Sequence, residues 1–180
     1  MGSHGAILAG FHVLLILLPP LTALVHRRLR GGGYADLFFR HLIFVGVGVQ
    51  GVMAGLKQIG AGQDVAAYTG WAYSPFVVEL GLMNLSYGIL GLIAPFAGRG
   101  WQLAAALGYG IFLLGAAIGH VADMATTGNI SLGNAGPTLW SDILIPLALV
   151  ALAVLTRRDP APARSGGEAA SALAGRDGGA

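Results

Sequence analysis

The stretch PFVVELGLMNLSYGILGLIAPFAGRGWQLAAALGYGIFLLGAAIGHVA, Pro75 to Ala122, decides the fold. It reads as two apolar runs, Pro75 to Ala97 and Trp101 to Ala122, each close to the ~20 residues a helix needs to cross the hydrocarbon core. Only Gly98, Arg99 and Gly100 separate them, so the two runs form a tight pair of antiparallel membrane helices. In the first run Gly81, Asn84, Gly88 and Gly91 follow steps of three and four, which places them in one narrow stripe.

Three further apolar segments flank this pair: Gly5 to Val25, Leu37 to Leu56, and Leu139 to Thr156. The reading is therefore an all-α integral membrane bundle with five crossings, four being the alternative, over residues 1–156. Met1 to His4 carry no Lys or Arg, so the first segment is read as a membrane helix and not as a cleaved leader. Arg27, Arg28 and Arg30 follow that segment. The positive-inside rule then puts the N-terminus outside and the first loop in the cytoplasm. Arg40, Arg99, Arg157, Arg158, Arg164 and Arg176 fall on the same side, and Lys57 is the one cation on the other. A wrong segment count would scatter these nine arginines. The expected location is the bacterial inner membrane, with the C-terminus cytoplasmic.

Composition agrees. Of 180 residues 55% are hydrophobic and 10% charged, against roughly 25% charged in a soluble domain. Charge this sparse leaves most of the surface for lipid, and the 30 glycines suit membrane helices. The absence of cysteine removes disulfides, thiolate metal sites and iron–sulfur clusters. A net charge of +2, with arginines beside apolar segments, argues against a nucleic-acid partner. Residues 157–180, rich in Pro, Ala and Gly, read as a disordered cytoplasmic tail with too few large apolar residues to fold alone.

Gly46, Gly48 and Gly51 spell GxGxxG, but that fingerprint needs a strand before it and a helix N-terminus in water. Here it lies in an apolar helix, where close packing explains it better. Gly51 with Gly55, and Gly115 with Gly119, are likewise read as small-residue faces that meet other helices. Such faces can equally serve a homo-oligomer or a membrane-complex partner. Pro19, Pro20, Pro95 and Pro146 fall within the apolar segments, and Ser74-Pro75 reads as a cap followed by proline at the first helical position. Trp71, Tyr73, Trp101 and Trp140 sit at expected interfaces.

Depth assignment at about 1.5 Å per residue gathers the remaining polar side chains in the outer half of the bilayer. His12, Lys57, Glu79, Asn84, His120, Asp123 and Asp142 come from all five segments. Ionisable groups at such depth are costly and mark functional sites by default. Glu79, His120 and Asp142 share a level and are the leading ligand or metal candidates, with Asp123, His12 and Asn84 beside them; which metal, if any, stays open. His12 and His120 could ligate a haem. Two plainer readings remain: Lys57 pairs with Glu79 or Asp142, or these residues simply reach the interface.

The runs WAYSPFVVELGLMNLSYGILG (Trp71 to Gly91), GHVADM and GNAGPTLWSDILIP resemble a family of small multi-pass bacterial membrane proteins known only as a domain of unknown function. That resemblance implies a membrane bundle and no reaction. A fainter likeness, in the Gly-rich second segment ending Gly55-Leu56-Lys57, is to the DoxX-like proteins, which would imply a quinone-linked redox setting. Three functions follow as expectations: binding of a small ligand, ion or partner subunit at the polar layer; an accessory role in quinone- or haem-linked electron transfer; or a small transporter or channel. No phosphate loop in a usable context, GxSxG elbow or HExxH is present, so a soluble enzyme is excluded.

Overall fold

A computed structural model describes residues 3–156, with side chains from residue 10 onward. The expected tail, 157–180, lies outside the described residues. The chain forms α1 (Ser3–Arg30), α2 (Tyr34–Leu42), a π-helical segment (Ile43–Val49), α3 (Gln50–Gly60), α4 (Gly62–Thr69), α5 (Phe76–Ala97), α6 (Arg99–Thr127), α7 (Leu132–Ala135) and α8 (Pro137–Leu155). Five stretches are long and apolar enough to cross a membrane: Gly10–Arg30, Tyr34–Gly60, Phe76–Ala97, Arg99–Thr127 and Leu132–Leu155. The expected count of five holds, and no strand occurs among the described residues.

The boundaries move outward. Arg27, Arg28 and Arg30, expected in a loop, form the last turn of α1, where cations suit the helix C-terminus. Lys57, expected to cap the second span, is followed by another turn to Gly60. Asp123, one residue past the expected fourth segment, lies inside α6. Pro75 directly precedes α5, and Ser74 Oγ accepts a hydrogen bond from Phe76 N at 3.4 Å. Between α5 and α6 the chain turns on Gly98 at φ 107, a conformation that strains any residue with a Cβ.

The second span is the irregular one. Ile43–Val49 (IFVGVGV) alternates β-branched residues with Phe and two glycines, all weak helix formers, and the backbone loosens from α into π geometry there. Tight packing compensates. A Cβ on Gly48 would lie 2.8 Å from Leu92 Cδ2, and one on Gly51 would lie 2.7 Å from Asn84 O and Gly88 Cα. The GxGxxG glycines thus serve helix packing: Gly48 and Gly51 join the π segment and α3 to the glycine stripe of α5, while Gly46 packs against Leu42 and Ile145 of α8. By contrast Gly115 and Gly119 of α6, expected to meet another helix, lie open: a Cβ on either would have no neighbouring atom within 4 Å. They face outward.

The core gathers Phe39, Leu42, Ile43, Val47, Ala105, Tyr109, Leu113, Ile145 and Leu149 from α2, the π segment, α6 and α8. Around it a broad apolar surface remains, including Leu107 at 64%, Ile118 at 71% and Phe96 at 82% exposure. Soluble monomers rarely expose contiguous apolar patches beyond a few hundred Å², whereas lipid requires them. The helices alternate in direction. Arg99 at the start of α6 donates to Ala153 O and Thr156 Oγ1 at the end of α8, and His26 of α1 meets His41 of α2. At the opposite end Gln58 of α3 meets Asn84 of α5, and His120 of α6 meets Asp142 of α8. We call these the arginine end and the distal end.

Candidate functional site

The distal end carries a polar cluster whose centre is buried. Asp142 lies one turn into α8 and is 5% exposed, and His120, near the end of α6, is 4% exposed. His120 Nε2 faces Asp142 Oδ2 across 3.7 Å. On its other side His120 Nδ1 lies 2.6 Å from Asn134 Oδ1. Asn134, from the one-turn helix α7, is fully buried and uses its Nδ2 to donate to Asn129 O at 2.8 Å. That bond sets the amide orientation, so Asn134 Oδ1 must accept and His120 must carry its proton on Nδ1.

The consequence is electrostatic. A neutral imidazole with Nδ1–H presents a lone pair at Nε2, and an ionised Asp142 presents another at Oδ2. Two acceptors facing each other at this distance repel. One proton held between them, on either group, converts repulsion into attraction.

A roof covers it. Trp71, in the loop after α4, stacks on the His120 ring at 5.1 Å between centroids and 20° between planes. Its indole N–H donates to Asp123 Oδ2 at 2.8 Å. Asn129 Nδ2 donates to the same oxygen at 2.7 Å and to Thr69 O at 2.9 Å, while Thr127 Oγ1 donates to Asp123 Oδ1 at 3.0 Å. Asp123 thus anchors the roof and does not share the His120–Asp142 contact. Gly70, at φ 74, turns the chain into the roof, and a side chain there would strike Ser131 Oγ. Beneath, Ser141 Oγ donates to Thr138 O at 2.7 Å and sits 3.4 Å from Asp142 Oδ1.

The other sequence candidates lie elsewhere. Glu79 is on the exposed side of the first turn of α5 and is not part of the cluster. Asn84 is buried in a separate knot: its Nδ2 donates to Gln58 Oε1 at 2.9 Å and to Leu80 O at 3.2 Å, and its Oδ1 accepts from Tyr109 OH at 3.1 Å. His12 lies on α1 with its ring edge-on to Phe11. Among the described residues the ion pairs are Arg40–Asp36 and His120–Asp142, so Lys57 pairs with neither Glu79 nor Asp142. No three His, Asp or Glu side chains among the described residues converge to hold a metal ion. For a haem, His120 offers no idle nitrogen, since one is bonded to Asn134 and the other faces Asp142.

Sequence reasoning missed Asn134 and Asn129, which read as turn residues, and it took Trp71 for an interface anchor. The available signal was their position: both turn-rich stretches are brought to the end of the bundle where the buried His and Asp already lie. No curated protein and no solved structure matches the chain. A family model matches residues 9–162, and the fainter likeness to the DoxX-like proteins is not shown. With its five membrane-length helices and most of its length matched, the chain belongs to a family of unknown function, DUF6790.

Proposed function

We propose that this chain is a multi-pass membrane protein whose distal-end site binds an ion, and that the ion is a proton held between His120 and Asp142. One observation carries the reading: a buried His–Asp pair at 3.7 Å whose other imidazole nitrogen is committed to Asn134. The stacked Trp71 and the Asp123 anchor separate the pair from the aqueous side and set the route by which the proton enters. A partner subunit or small solute acting on the roof would then be coupled to protonation.

Infrared difference spectra of the purified protein in nanodiscs test this directly. Across a pH titration the wild type is expected to show carboxyl and imidazole bands that change together, as a shared proton requires. Asp142→Asn removes the carboxyl band and alters the imidazole one, whereas Glu79→Gln changes neither. A wild-type spectrum without a coupled change would overturn the proposal.

A further inference from the structure

The arginine end carries a second meeting of titratable side chains, between α1 and α2. Gly31 and Gly32, at φ 75 and φ 102, reverse the chain after α1, so that α2 runs back along its last turns. Thr22 and His26 stand four apart on one face of α1, and His41 of α2 meets both. His26 Nδ1 lies 3.2 Å from His41 Nε2, with the two rings nearly perpendicular at 88°. Both histidines are partly exposed, unlike the buried pair at the distal end.

Hydrogen bonding fixes what these nitrogens present. Thr22 Oγ1 donates to Leu18 O at 2.9 Å, so towards His41 Nδ1, 3.0 Å away, it accepts. Neutral His41 therefore carries its proton on Nδ1 and a lone pair on Nε2, the nitrogen that faces His26. Metal-binding imidazoles are set up in this way: the far nitrogen donates to an oxygen that fixes tautomer and ring orientation, and the near one points at the ion. His26 Nδ1 supplies the second lone pair once its proton moves to Nε2, which has no hydrogen-bond partner among the described residues. Two nitrogens 3.2 Å apart can both lie ~2.0–2.1 Å from one ion, at an angle of about 100° that approaches the tetrahedral one. A groove of about 400 Å³ along α1, lined by Leu21, Thr22, Val25, His26, Leu29 and Arg30, leaves room beside His26 for water to fill the remaining positions. Among the described residues neither ring pairs with a carboxylate, since Asp36 is held by Arg40 and Asp142 faces His120. Magnesium and calcium ions need such oxygen ligands, whereas imidazole suits borderline ions such as zinc.

We propose that His26 and His41 chelate a divalent transition-metal ion of the zinc class, with Thr22 as the positioning residue, and that the ion pins α1 to α2. The ion takes the place of the proton between the two rings, and water completes its coordination. This site is independent of the His120–Asp142 proton site, which lies at the other end of the bundle.

Titration of the full chain in detergent with cobalt(II), whose visible absorption reports imidazole ligands, followed by displacement with zinc(II), tests it. His26→Gln and His41→Gln are each expected to weaken binding by at least about ten-fold, and Thr22→Val, which removes the acceptor of the His41 Nδ1 proton, by about ten-fold. Excess magnesium does not compete. Nitrogen-15 spectra of the wild type need no substitution: zinc(II) shifts His26 Nδ1 and His41 Nε2 and leaves His120 where it was. A wild type without the cobalt–imidazole absorption would overturn the proposal. So would full affinity in either histidine variant, or zinc-induced shifts at His120 in place of the His26–His41 pair. The infrared bands of the distal site are read without added metal, so failure of one reading leaves the other standing.

Discussion

The seam between α3 and α5 and the junction between α6 and α8 join antiparallel helices by opposite means. At the seam glycines bring backbone onto backbone: Gly51 and Gly55 of α3 meet Asn84, Gly81 and Gly88 of α5 with no room for a methyl group. Its polar contribution includes one knot, Gln58–Asn84–Tyr109. At the junction the distal contact is made by ionisable side chains, His120 and Asp142, left 3.7 Å apart under an aromatic roof. Where dispersion and close fit suffice, the chain uses glycine. Where it places a buried titratable pair, stability alone does not explain the choice, because a hydrophobic pair of similar volume would hold two helices as well.

Substitutions at the seam should have the largest effect. Gly88→Ala or Gly51→Ala places a Cβ against neighbouring backbone, which cannot swing aside as a side chain could. Each is expected to cost about 3 kcal/mol, the upper range for overpacking, read as earlier unfolding in detergent titrations. Wild-type stability in either variant would mean that the seam is looser than its geometry.

Asn134→Ala comes next and probes the junction. It leaves His120 Nδ1 without its acceptor in a buried setting, an expected loss of about 1–3 kcal/mol. It also frees the imidazole to change tautomer, which nitrogen-15 chemical shifts of His120 would register. Unchanged shifts would show that Asn134 does not fix the proton position.

Trp71→Phe is milder. A stacked ring remains over His120, but the exposed bond to Asp123 is lost. Faster hydrogen exchange around the α4–α5 loop with little change in global unfolding is the expected result. If exchange does not change, the Asp123 bond does not hold the roof.

The smallest effect sharpens the comparison from the other side. Gly115→Ala alters the same small-residue motif as the seam, yet its position is open, so stability should stay within about ±0.5 kcal/mol. A large loss there, especially with a change in oligomer size on gel filtration, would show that this face meets a second copy.

The sequence by itself determined the class and the number of helices. Length and apolarity are summed along the chain, and a run such as Phe76–Ala97 satisfies its backbone internally whatever its neighbours do. It also marked the end of the bundle where ionisable groups gather, since depth follows from counting residues at a fixed rise. Tertiary structure decided which of them meet. His120 and Asp142 converge while Glu79 does not, because a difference in rotation about a helix axis moves a side chain from the interior to the outer face at the same depth. Counting residues along one helix does not fix that rotation relative to the other four. The same holds for the glycines: Gly51 and Gly115 open motifs of one spacing, and only packing shows that the first is pressed against α5 and the second faces outward. Asn134 and Trp71 join the site for a further reason: the loops that carry them fold back over the helix ends, a placement set by long-range contacts and not by local pattern.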